Sequence, residues 1–307
     1  MLTVLSAIAP IFAAIGFGYA GRRWGPFGPA SHAELTRFVT KLALPVLLFR
    51  IMAEARPAEI WQPGFIVASG AGSLTIFVAA ILIRRRRVPT ADAIVDGLAA
   101  GYSNTAFIGI PLCLSLLGAT GMMAASIASI LTVCLLFALS ILLIEAALQP
   151  EASLPVLIGR ALITAARNPL VYAPAAGALF SVGGVELPVP VARFAELLGA
   201  AASPCALVAL GLFVGEPRGR VPGQDVGLLT GLKLFAQPAV TWLVAYVLLP
   251  LPPVWAKAAV LIAALPTGTG PFMLAELYGR EANLTARTIL ATTTLSIVTI
   301  TILMAIL

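Results

Sequence analysis

Apolar residues run along this chain in long unbroken blocks, not in alternation. The blocks lie near residues 2–20, 36–52, 64–83, 92–117, 121–146, 162–181, 191–214, 226–249, 254–278 and 284–306. A helix needs about 20 apolar residues to cross a bilayer, while barrel strands alternate polar and apolar positions. The pattern predicts an all-α integral membrane protein with ten transmembrane helices. Short linkers rich in Gly, Pro and Arg separate the blocks, as at 21–29, 216–224 and 249–253.

Two blocks interrupt themselves. The fourth reads Gly-Tyr-Ser-Asn-Thr-Ala-Phe-Ile-Gly-Ile-Pro-Leu from Gly101, and the ninth reads Leu-Pro-Thr-Gly-Thr-Gly-Pro-Phe from Leu265. Proline has no N–H to donate and clashes with the preceding turn. Lipid cannot satisfy the backbone groups so freed, so both breaks must face protein or a water-filled cavity. Interrupted helices in corresponding places of two halves point to a transporter's binding site.

Correspondence between halves is visible. Pro10 and Pro169, Gly18 and Gly177, and Pro45 and Pro204 each stand 159 residues apart. The chain is therefore expected to hold two five-helix repeats, 1–148 and 160–307. Five is odd, so the second inserts upside down. The fourth and ninth blocks match in kind at a shifted offset.

Composition agrees with the pattern. The chain is 60% hydrophobic and 10% charged, with a mean hydropathy of +1.02, against about 25% charged residues in soluble domains. The net charge of +6 does not imply nucleic acid, because the basic residues sit in short loops between spans. With both termini outside, Arg22, Arg23, Arg37, Arg84 to Arg87, Arg160, Arg167, Arg218, Arg220, Arg280 and Arg287 fall inside. The expected location is a cell inner (plasma) membrane, multi-pass. The Arg84–Arg87 run reads as a topology anchor. Cys113, Cys134 and Cys205 read as apolar fillers. The apolar start is expected to be a first span, not a signal peptide.

Each broken span offers a second half-helix whose first N–H groups and positive dipole end lie near mid-membrane. Pro111 and Pro271 suit the first turn of such half-helices. Gly109, Gly268 and Gly270 permit close backbone approach, and Ser103, Asn104, Thr105, Thr267 and Thr269 add polar partners. Such a region attracts an anion, typically a carboxylate, without a fixed basic side chain. Pro45 and Pro204 either kink their helices or line the site. Asp96 and Glu276 are the candidates for proton coupling, while Asp92, Glu145 and Lys233 read as interfacial groups. No motif supports an enzyme, a metal site or a cofactor: G-x-S-x-G is incomplete at Ser103, and the lone His32 lies in a loop.

Four segments carry a family resemblance: Leu44 to Arg50, Ser103 to Leu112, Asn168 to Leu170, and Leu265 to Gly279. Together they resemble the auxin efflux carrier family of bacterial organic-anion carriers, malonate carriers included, and plant PIN-type exporters. The resemblance implies fourth and ninth helices that cross at their breaks, with substrate beside the crossing. It implies a scaffold part (about 1–52 and 162–214) that supports a homodimer, and a moving transport part (about 64–146 and 226–307). Asn104 matches the crossover asparagine of the fourth helix. In the ninth, Gly270 stands where many relatives have asparagine. The implied function is secondary transport of a small organic anion by an alternating-access, elevator-like motion. The alternatives are a sodium-coupled symporter of the bile-acid type and a non-transporting membrane ligand sensor.

Overall fold

The computed structural model describes residues 2–28, 30–149, 166–216 and 221–307, with isolated positions between 150 and 165. Among the described residues the protein is all-helical; its only extended pairing is one isolated bridge, Ser103 with Thr267. The helices are α1 (Leu2–Arg23), α2 (31–54), α3 (Pro63–Arg84), α4 (Thr90–Gly101), α5 (105–117) and α6 (119–148), then α7 (Pro169–Val182), α8 (Val189–Val214), α9 (Gly223–Leu248), α10 (Pro253–Ala263), α11 (Gly270–Leu277) and α12 (Asn283–Ile306). Among the described residues, five continuous helical stretches are long and apolar enough to cross a membrane: α3, Thr105–Leu148, α8, α9 and α12.

The stretch Thr105–Leu148 is not one rod. A side-chain carbon placed on Gly121 would collide with the backbone carbonyl of Cys113, yet in a continuous helix residues that far apart are separated by about 12 Å. The chain doubles back at Gly118, where φ is +67° and ψ is −154°, a conformation that favours glycine. This separates α5 from α6 at the expected boundary of the fourth and fifth blocks.

Three prolines share one local device. Wide π-type turns at Val39–Ala43, Thr105–Gly109 and Leu232–Ala236 end two residues before Pro45, Pro111 and Pro238. A proline ring presses on the carbonyl four residues back. Widening the turn moves that carbonyl aside, so the helix continues instead of breaking.

Small residues let the helices approach closely. Gly18 of α1 lies on Gly211 of α8, where an added carbon would stand 3.0 Å from the partner's Cα. Gly177 of α7 lies on the Phe49 carbonyl of α2, and the Ser181 hydroxyl donates to the Ala55 carbonyl (2.6 Å). Such contacts replace the hydrophobic driving force that lipid cannot supply. Elsewhere α3 packs along α4, and α9 and α10 cover them.

Candidate functional site

Helix α4 ends at Gly101 and α10 ends at Ala263, and their chains resume as α5 and α11. The two gaps meet in antiparallel fashion. The Asn104 N–H donates to the Pro266 carbonyl (2.8 Å), and the Gly268 N–H donates to the Tyr102 carbonyl (3.0 Å). Each gap thus supplies the partners that lipid cannot.

Side chains satisfy what remains at the ends. Lys233 Nζ donates to the Ala263 carbonyl (2.7 Å) at the end of α10. Gln237 Nε2 donates to the Gly101 carbonyl (3.2 Å) at the end of α4, and Thr267 Oγ1 donates to the Ala99 carbonyl (2.8 Å). On the opposite side, Asn104 Oδ1 accepts from the Phe107 N–H (3.2 Å), capping α5. The Thr267 N–H donates to Thr292 Oγ1 of α12 (3.1 Å).

Lys233 departs from expectation. It is fully buried, not interfacial, and Nζ also donates to Ser103 Oγ (3.0 Å). The crossing therefore does carry a fixed basic side chain, contrary to the sequence reading. The wide turn at Leu232–Ala236 helps place it, and Gln237 follows one turn later on the same face. Beside them lies a void of about 20 Å³ lined by Ser69, Ser73, Ser103 and Gln237, room for roughly one water-sized group.

On the other side of Ser103 lies a cavity of about 140 Å³. Ser103, Asn104, Thr105, Thr269 and Gly270 line it from the crossing, Thr40, Lys41, Leu44 and Leu48 from α2, and Asn168 from the start of α7. Buried Asn104 uses Oδ1 for the cap, while its Nδ2 has no protein partner. The cap fixes the amide's orientation, so the unsatisfied end is a donor.

The second break carries no such group, for a visible reason. A carbon added at Gly270 would stand 2.7 Å from Tyr102 Cζ, and one at Gly268 would stand 2.9 Å from Tyr102 Cε1. The Tyr102 ring lies over both glycines and fills the space an asparagine would need. Its side chain joins the cavity wall instead.

Six other predicted site residues are absent from the wall. Thr267 is committed to wiring the crossing. Pro271 is the second residue of α11, as expected for a half-helix start. Pro111 differs: α5 begins six residues before it, and the wide turn at Thr105–Gly109 absorbs the missing N–H. The break itself is residues 102–104. Gly109 packs against Leu265, whose Cδ1 would lie 2.9 Å from an added carbon. Pro45 is buried within α2, and exposed Pro204 stands just after the bend at Ala201 in α8.

The acidic candidates lie elsewhere. Asp96 is buried in an ion pair with Arg84 (2.7 Å), which also pairs with Asp225 of α9. Arg84 is therefore turned inward, unlike exposed Arg85, Arg86 and Arg87. Arg280, beyond the end of α11, meets Asp92 through two bonds (2.7 and 2.6 Å). That hydrogen-bonded pairing raises the guanidinium's pKa further. Glu276 belongs to α11, and its side chain lies outside the described residues.

A match to the family described as "Membrane transport protein" runs from residue 3 to residue 304. The chain belongs to that family. It is 29% identical to a Rhizobium meliloti protein named "Putative malonate transporter", over 98% of this chain and 95% of that one. It is 26% identical to an "Uncharacterized transporter" of Methanothermobacter thermautotrophicus, over 97% and 95%. It is 24% identical to "Auxin efflux carrier component 8" of Arabidopsis thaliana, over 90% and 89%. The family resemblance read from Ser103–Leu112 and its companion segments thus holds along the whole chain. The protein is a multi-pass membrane transporter of the auxin efflux carrier family and not an enzyme.

Proposed function

We propose that the protein is a secondary transporter of a small organic anion, a short mono- or dicarboxylate such as malonate. The observation that carries this reading is the Asn104 Nδ2 donor, buried without a protein partner on a residue that lines the cavity at the crossing. A buried unsatisfied donor costs about 1–3 kcal/mol, and an anion's acceptor oxygens remove that cost. The starts of α5 and α11 add partial positive charge. Lys233 orients the intervening Ser103 hydroxyl by donating to its Oγ. The relative named for malonate supports the choice of substrate.

In this reading ten spans form two inverted five-helix repeats with both termini outside. The crossing, carried by residues 64–146 and 226–307, moves as a body against a scaffold of residues 1–52 and 162–214, which also forms the homodimer. The cavity lies between the α2 and α7 walls and the crossing, where an elevator-like motion would carry it across. Lys233 favours this over sodium symport, because its Nζ already occupies the polar ground behind the crossing, on Ser103 Oγ and the Ala263 carbonyl. Asp96 and Glu276 remain candidates for proton coupling, Asp96 through exchange of its Arg84 partner.

Asn104→Asp tests the site. Aspartate keeps an acceptor for the Phe107 N–H but replaces the donor with negative charge. Malonate uptake into proteoliposomes should fall by about 100-fold or more, roughly 3 kcal/mol, with the melting temperature little changed. Uptake equal to wild type across a panel of short carboxylates would reject the assignment.

A further inference from the structure

The cavity has a second polar pole, away from the crossing. Helices α2 and α7 run parallel, with Ser181 beside Ala55 and Gly177 on Phe49. That register brings Asn168 level with Lys41, and both line the cavity. Asn168 Oδ1 accepts from the Leu170 N–H (3.0 Å) to cap α7. As at Asn104, the cap fixes the amide, and Nδ2 has no protein partner among the described residues. Lys41, exposed at the rim, has no carboxylate within ion-pair distance among the described residues. The rest of the lining is mainly apolar, with Leu44 and Leu48 of α2, Val133 and Phe137 of α6 and Met273 of α11, and includes Ser129.

Each pole therefore offers an oriented amide donor, and each has a lysine at hand. A ligand matching this lining has an acceptor-only anionic group at both ends and a short apolar link between them. About 140 Å³ holds on the order of ten water-sized groups, the scale of a short dicarboxylate. We propose that Lys41 and Asn168 form a second anion-binding point that selects dianions over monoanions. This rests on the reading of the crossing as the first carboxylate site.

The test compares malonate with its monomethyl ester, which keeps the first carboxylate and lacks the second. Binding to the purified full chain is measured by titration calorimetry, and uptake is measured in proteoliposomes. Wild type should prefer malonate by about ten-fold or more. Lys41→Met and Asn168→Asp should each weaken malonate more than the ester and bring that ratio to within about three-fold. Asn168→Asp keeps the cap acceptor, and Lys41→Met changes an exposed rim position; melting temperature and monodispersity verify both folds. Should Asn168→Asp fail to fold, Lys41→Met decides alone. A wild type that does not discriminate, or variants that weaken both ligands equally, overturns the second point and leaves the first intact. A wild type that binds neither ligand, with Asn104→Asp behaving as wild type, removes the first point and this one with it.

Discussion

The two breaks are alike as backbone and unlike as chemistry. Each ends a helix at mid-chain, and each borrows hydrogen bonds from the other across the Ser103–Thr267 bridge. The first presents a side-chain amide with an unsatisfied donor. The second presents glycines under the Tyr102 ring. Interrupting a membrane helix therefore imposes one common requirement, that every freed backbone group find a partner. Ligand chemistry is a separate addition, and here it leans on the first break. Helix α9 serves both, through Lys233 at one C-terminus and Gln237 at the other.

The comparison can be broken most severely at Lys233. Lys233→Met removes the partner of the Ala263 carbonyl and the donor behind Ser103. Transport should be abolished, and stability in detergent should fall by about 1–3 kcal/mol. Gln237→Leu should cost less, because Thr267 still serves the end of α4. Equal losses in denaturant titrations would mean that α9 holds both breaks in the same way.

Gly270→Asn places an amide at the second break, against the Tyr102 ring. Overpacking of this kind costs about 1–3 kcal/mol. Tyr102→Ala should recover most of that loss, giving a coupling of about 1 kcal/mol or more in a double-mutant cycle. Independent effects would show that the ring is not what excludes the side chain.

Thr292→Val removes the acceptor for the Thr267 N–H and should lower stability by about 1 kcal/mol. It acts on the second break alone, so malonate affinity should change less than in Asn104→Asp. A larger loss of affinity than stability would assign the second break a direct share in binding. The smallest effect is expected at Arg280→Ala, which opens a partly exposed ion pair remote from both breaks and should cost about 0–1 kcal/mol. Loss of transport there, with stability kept, would extend the functional unit to the Asp92 contact.

Much of this was legible in the residues. Asn104 to Pro111 and Thr267 to Pro271 stand out because Asn, Gly and Pro are costly inside an apolar block. The break is nonetheless upstream of Pro111, because a wide turn lets a helix carry a proline without ending. Lys233 and Gln237 had a readable signal, two polar residues one helical turn apart inside one apolar block. An intramembrane lysine is a functional candidate by default, but its nearness to a predicted inner end suggested an interfacial role. Lys41 and Asn168 carried less signal, since each sits near the edge of a block and their partnership depends on the α2–α7 register. Asp96 could be placed at the start of α4, but not its pairing with Arg84.

Local physical chemistry, read from the chain alone, determined the membrane class, the positions of the two interruptions and the residue types available to a carboxylate. These follow from short-range rules: apolar length against bilayer thickness, and the backbone geometry of proline and glycine. Tertiary structure alone decided which donors were consumed and which were left over. Ala263 and Lys233, Thr267 and Thr292, and Tyr102 and Gly270 are pairs far apart in the chain or across helices. Only their assembly leaves the Asn104 amide without a partner beside the cavity.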